Sequence, residues 1–124
     1  MYLTSRKLIQ NQLIRMKSAE IKFTVHMDEN KLPLAIDWET SDGTEKSVCK
    51  SCFISMWDAN EQNTLKIDLW TKDMGVEDMK LFFHQTLLSM ANTFKKATGE
   101  VEITEDLLDY CAHFADKMGI QKPE

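Results

Sequence analysis

One unbroken run, Trp57 to Phe94 (WDANEQNTLKIDLWTKDMGVEDMKLFFHQTLLSMANTF), constrains the fold more than any other stretch of the chain. It leaves one strand, turns through Asp58 to Asn63, alternates as a second strand with Leu65, Ile67 and Leu69 on one face, and passes straight into a long amphipathic helix. A hairpin that feeds a helix excludes an all-α or an all-β fold. Pairing Trp57 with Thr64 sets Met56 against Leu65, Ile54 against Ile67 and Cys52 against Leu69, so one face of the hairpin is wholly apolar. The other face is not cleanly polar, because Phe53, Trp57 and Trp70 lie among Ser55, Lys66 and Asp68.

Upstream, period two returns twice. Ile21, Phe23, Val25 and Met27 point one way and Lys22, Thr24 and His26 the other. After Asp28 to Lys31, four turn-forming residues, Leu32, Leu34, Ile36 and Trp38 alternate with Pro33, Ala35, Asp37 and Glu39. Matching Met27 with Leu32 pairs Val25 with Leu34, Phe23 with Ile36 and Ile21 with Trp38, again on one apolar face. Pro33 has no N–H to donate, so it belongs at a sheet edge or at the first residue of its strand. Residues 40–47 (TSDGTEKS) form a polar loop with Gly43 available for positive φ, expected to separate two hairpins, and the third strand spans about Val48 to Trp57.

Downstream, Gly75 precedes Glu77 and Asp78, acids suited to a first helical turn, and Val76, Met79, Phe82, Phe83, Thr86, Leu87, Met90 and Phe94 form a broad apolar stripe that ends near Gly99. Thr104 offers an N-cap to a second helix with Leu107, Leu108, Cys111, Phe114, Ala115 and Met118 as its stripe, closed by Gly119. The expected fold is therefore α+β, ββββαα: an antiparallel four-stranded sheet of two hairpins with two C-terminal helices on one face.

The chain has 124 residues, enough for one domain with a two-layer core. Residues 1–17 contain Arg6, Lys7, Arg15 and Lys17 and no acid, so taking their +4 from the net −5 leaves −9 on the rest. Their apolar pairs, spaced near five, suit neither a helix face nor a strand, and they are read as a flexible basic arm or upstream extension, with Met16 an alternative start. Residues 18–120 are expected to be the single α+β domain and 121–124 a tail. An acidic body disfavours nucleic acid as a partner. No apolar run approaches the roughly 20 residues of a membrane span, and the N-terminus lacks the apolar core of a secretory signal, so a cytoplasmic location is expected. Three cysteines without an export signal fit reduced thiols.

The words NTLKIDLWTKDM and FFHQTLLSMANTFKKATG resemble the gliding motility-associated protein GldC family, and the likeness runs from about Lys17 to Gly119. The resemblance implies a non-catalytic accessory protein of the gliding motility machinery, acting through protein–protein contacts. The element order alone is similar to that of bacterial SecB export chaperones, which gives the alternative: a module that holds extended clients on apolar surface.

The residues themselves show no catalytic constellation, and no enzyme activity, cofactor or metal is expected. Cys49-Lys50-Ser51-Cys52 has zinc-knuckle or dithiol spacing, but a structural zinc needs four ligands and a second pair is missing. In a regular strand, a separation of three also puts the two sulfurs on opposite faces. His26, His84 and His113 are scattered, with no nucleophile near them in sequence. Two surfaces remain as candidates. Phe53, Trp57 and Trp70 either form a partner surface or are covered by loops or the arm. Leu81 and Leu88, flanking His84 on the first helix opposite Met79 and Met90, are expected to form a homodimer interface, the alternative being a monomer with a slightly apolar helix.

Overall fold

The computed structural model describes residues 17–121. The basic arm, apart from Lys17, and the last three residues of the tail lie outside the described residues. Seven elements follow in order: β1 (Ile21–Met27), β2 (Pro33–Thr40), β3 (Lys46–Cys49), β4 (Ser51–Asp58), β5 (Asn63–Trp70), α1 (Val76–Thr98) and α2 (Val101–Met118). The class is α+β, with antiparallel strands followed by two helices. The chain falls into two compact units, one ending at Asp73 and the other beginning at Met74.

The strands do not form one four-stranded sheet of two hairpins. They form a three-stranded sheet, β1-β2-β3, and a two-stranded sheet, β4-β5. The strand expected over Val48 to Trp57 is interrupted at Lys50, and polar groups hold the break. The Lys50 carbonyl accepts from the Thr71 N–H at 2.8 Å, its ammonium lies 3.3 Å from Asp73, and the Thr71 hydroxyl donates to Asp73 at 2.5 Å. Thr71 is only 1% exposed, and these bonds satisfy it. The Lys72 N–H donates to the Pro33 carbonyl at 3.0 Å, tying the end of β5 to the start of β2. Pro33 is the first residue of β2, a position where its missing N–H costs no ladder bond.

Because β2 pairs directly with β3 (Ile36 with Cys49, Glu39 with Lys46), the polar loop is itself a hairpin turn and not a separator. Gly43 adopts φ 72°, and Asp42 folds inward to accept from the Thr40 and Thr44 hydroxyls and the Thr44 N–H. These bonds, led by the Thr40 hydroxyl, lower the Asp42 carboxyl to about 2.

In the β1–β2 hairpin the register differs by two from the expected one: Val25 pairs with Ile36 and Phe23 with Trp38, with an irregularity between His26 and Met27. The turn consumes the difference. The Asp28 carboxylate accepts from the Asn30 and Leu32 amides, and Lys31 takes φ 62°. The even shift leaves Ile21 to His26 on their expected faces, whereas past the irregularity Met27 pairs with Pro33 in place of Leu32, a shift of one. The β4–β5 register is the expected one throughout, from Cys52 with Leu69 to Trp57 with Thr64. Ile36 is fully buried at the centre of the first sheet, between Val25 and Cys49.

In the second unit, α1 begins after Gly75 and ends at Gly99 (φ 74°), and α2 ends at Gly119 (φ 69°), both C-terminal glycines in the left-handed region that suits a C-cap. Thr104 is not an N-cap. α2 begins at Val101, and the Thr104 hydroxyl bonds back to the Glu100 carbonyl at 2.6 Å while its side chain is buried. Two residues join the helices, so they run antiparallel. Ala91 and Cys111, each 2% exposed, mark the seam where the backbones approach.

Candidate functional site

Phe53, Trp57 and Trp70 share the face of the β4–β5 hairpin that turns away from Ile54 and Ile67, because alternate residues of a strand point to opposite faces. They do not form one patch. Trp70 lies opposite Ser51, Phe53 opposite Asp68 and Trp57 opposite Thr64. Six strand positions separate the Trp70 level from Trp57, about 20 Å at about 3.3 Å per residue. The hairpin therefore carries two aromatic points: Trp70 beside half-buried Phe53 at one end, and Trp57 beside the turn at the other. Both tryptophans are well exposed, Trp57 at 67% and Trp70 at 55%.

Between the two points the face is charged. The Lys66 ammonium stands over the Phe53 ring, 5.6 Å from its centroid, and pairs with Asp68 at 3.4 Å. At the other end, Trp70 lines an open groove of about 450 Å³ together with Leu32, Pro33, Leu69 and Lys72. Its rim is fixed by the Lys72 ammonium, 2.9 Å from Asp28, a contact that is the main cause holding the Asp28 carboxyl below its usual range. An aromatic wall and an apolar floor suit an apolar or aromatic side chain, and the Lys72 ammonium is already met by Asp28 while Asp68 also lines the groove.

Of the stripe expected at a homodimer interface, His84 has a partner on the neighbouring helix. His84 stacks on Phe114 of α2, with centroids 6.2 Å apart and planes 9° from parallel. Leu88 and Ala91 follow His84 at helical spacing, so Leu81, His84 and Leu88 lie on the side of α1 that meets α2. Leu81 itself remains exposed. The sequence signal for this was Ala91, whose small side chain permits close approach of two helices.

Two other clusters bear on chemistry. His26 Nε2 lies 2.8 Å from Asp37 Oδ2 on the outer face of the first sheet, both side chains about half exposed. The sequence reading missed this pair, which follows from the two-residue shift that sets Asp37 opposite Thr24, diagonal to His26. The carboxylate can orient the imidazole, but nucleophilic catalysis needs a hydroxyl or thiol at the ring. Among the described residues no such group is hydrogen-bonded to His26. Cys49 and Cys52 are half-buried free thiols on either side of the break at Lys50, so the parity argument for a regular strand does not apply to them. Burial raises both thiols, which keeps them protonated and poorly nucleophilic. Among the described residues no group of three His, Cys, Asp or Glu side chains could hold a metal ion, and no helix is long and apolar enough to cross a membrane.

The model of the family described as gliding motility-associated protein GldC-like matches residues 33–120, from the first residue of β2 to just past Gly119, leaving β1 outside the match. No curated protein and no solved structure matches the chain.

Proposed function

This chain belongs to the gliding motility-associated GldC-like family, and from that premise we propose that it is a non-catalytic, cytoplasmic accessory protein of the gliding machinery. It acts by binding other proteins, motility components among them, and by pairing with itself as a homodimer; it takes no cofactor and no nucleic acid. The observation that carries this reading is Trp70, more than half exposed in a groove whose rim is fixed by the Lys72–Asp28 pair. Large aromatic side chains held at a rigid surface are the usual anchors of protein interfaces. Phe53 and Lys66 extend the anchor, and Trp57 supplies a separate contact about 20 Å away along the strand.

The test is replacement of the chromosomal gene in a gliding bacterium by a Trp57→Ser, Trp70→Ser version, scoring spreading and growth separately. Loss of spreading at normal growth and normal protein level supports the reading. Normal spreading in that strain, or a growth defect without a spreading defect in the deletion strain, overturns it.

A second reading, a SecB-like holder of extended clients, is favoured by one observation: Met56, Leu65 and Ile67 are exposed on the other face of the same hairpin. Binding of a reduced, unfolded model polypeptide by the purified chain separates the two.

A further inference from the structure

Cys49 and Cys52 stand on the two sides of the break at Lys50, and the register places each on the apolar face of its own sheet: Cys49 opposite the buried Ile36, Cys52 opposite Leu69. An unbroken strand would hold their Cα atoms about 10 Å apart at about 3.3 Å per residue and send their sulfurs to opposite faces. That exceeds the roughly 7 Å that a disulfide spans. The chain instead bends at Lys50. The Cys49 sulfur responds to the residues beyond the bend: after burial, the main cause that raises its thiol is the charge of Cys52, and the Ser51 N–H acts on the same sulfur in the opposite direction. It therefore lies within electrostatic reach of both the Ser51 amide and the second thiol.

The two residues enclosed between the sulfurs are the ones that hold the end of β5. The Lys50 carbonyl accepts from the Thr71 N–H, and the Ser51 hydroxyl donates to the Leu69 carbonyl at 3.1 Å. Trp70 stands between those two points and is itself paired with Ser51 across the hairpin. A change in the path of residues 49–52 is therefore passed to Trp70 through two hydrogen bonds and a ladder pair, with no loop in between.

We propose that Cys49 and Cys52 form a redox couple that closes to an intrachain disulfide by exchange with a small disulfide of the glutathione type, and that closure shifts Trp70. The proposal rests on the reading of Trp70 as a partner anchor and adds its regulation. One thiolate attacks a sulfur of the small disulfide and expels a first thiol; the second thiolate then attacks the protein sulfur of the mixed disulfide and expels another. Two electrons and two protons pass from the protein to the small disulfide, which leaves as two thiols. Burial shapes both directions. Because it keeps the thiols protonated, exchange at neutral pH is slow. Because it withholds the stabilisation that a thiolate gives a reduced pair, the disulfide resists reduction once formed. The couple thus answers a sustained oxidising state and not a brief one. Cys111, only 2% exposed and far along the chain, takes no part.

The test incubates the purified full chain with mixtures of reduced and oxidised glutathione, quenches with acid, alkylates the remaining thiols and digests with trypsin. Trypsin cuts after Lys46, Lys50 and Lys66, so the disulfide leaves residues 47–50 joined to residues 51–66. The expected result is that joined pair in single chains, with Cys111 alkylated throughout. A change in tryptophan fluorescence should follow the same titration, reverse with dithiothreitol and be absent from Trp70→Phe. Both cysteines alkylated even in oxidised glutathione alone, or glutathione held on either one with no joined pair, overturns the proposal. A joined pair found only in covalent two-chain species, or formed without the fluorescence change, or with a change that survives in Trp70→Phe, overturns it too. Should Trp70→Phe fail to fold, the joined pair and the fluorescence change of the wild type decide. No motility partner enters this test, so a failed couple leaves the Trp70 reading standing, and normal spreading of the Trp57→Ser, Trp70→Ser strain sinks that reading without touching the disulfide.

Discussion

Replacing Ile36 by Ala tests whether the first sheet is organised as described. Ile36 is fully buried, paired with Val25 on one side and Cys49 on the other. Truncation removes three carbons, which forfeits about 2.4 kcal/mol at about 0.8 kcal/mol each. Space that the neighbours cannot close adds up to about 1.5 kcal/mol at about 24 cal/mol per Å³, so the expected loss is about 2.5–4 kcal/mol. Ile21 lies on the same face of the same sheet but is 65% exposed, and Ile21→Ala should cost about 1 kcal/mol, in proportion to the area it buries. Urea titration followed by tryptophan fluorescence is the suitable assay, because Trp38, Trp57 and Trp70 all precede Asp73 and report on the unit that contains both sites. With a slope of about 1–3 kcal/mol/M, the Ile36 variant should lose at least about 1 M in midpoint. A loss at Ile36 no larger than at Ile21 would refute the reasoning, since burial would then not be ranking the core.

Two further outcomes follow from the turns and the helical seam. Asp28, Asp42 and Asp73 have carboxyls held below their unfolded values, by the Lys72 ammonium, the Thr40 hydroxyl and the Thr71 hydroxyl respectively; depressed folded values give stability that is present above the unfolded pKa of about 4 and lost as pH falls through the folded ones. Melting temperature should therefore drop between about pH 4 and the Asp42 value of about 2, less steeply in Asp42→Asn, and an unchanged slope in that variant would remove Asp42 from the account. Ala91→Phe should overpack the seam at a cost of about 1–3 kcal/mol or more, read as a lower thermal midpoint of the helical signal at 222 nm; a neutral result would mean that Ala91 is not where the helices approach.

The legibility of the sequence tracked how many independent constraints met at one place. The β4–β5 register was readable because both strands alternate over eight residues and a turn held by Asp58 leaves no slack: its carboxylate accepts from the Asn60 and Glu61 amides. In β1–β2 the Asp28 side chain performs the same capping over a different number of residues, and alternation alone cannot count turn residues. It can only fix parity, which is why the faces were right from Ile21 to His26 while the pairs were not, and parity itself fails at the irregularity before Met27. The break at Lys50 has no local signal. No Gly or Pro stands there, and the groups that meet it, Thr71 and Asp73, are about twenty positions away. On α1 two apolar stripes compete for the partner helix, and the deciding residue is the small Ala91, not the larger and more conspicuous leucines. His26 and Asp37 were each seen to face outward, yet their contact depends on the register that the turn controls.

The two faces of the β4–β5 hairpin then bear on which kind of protein binding the chain performs. A two-stranded hairpin is marginal by itself in water, so exposed apolar side chains on both of its faces point to contacts made outside it. A holder of extended clients needs a continuous apolar track, because an unfolded chain offers side chains of every kind at close spacing. Met56, Leu65 and Ile67 offer one on the other face of the hairpin, whereas the Trp57–Trp70 face does not. Lys66 and Asp68 sit between its aromatic points, paired with each other and with the Phe53 ring. A partner crossing that face must match two aromatic contacts and an intervening pair of opposite charges at fixed spacing, and mismatched charge is costly to desolvate. That pattern makes the Trp57–Trp70 face selective for one shaped partner over many unfolded ones, so a shaped partner and an extended client would be told apart by which face of the hairpin each covers.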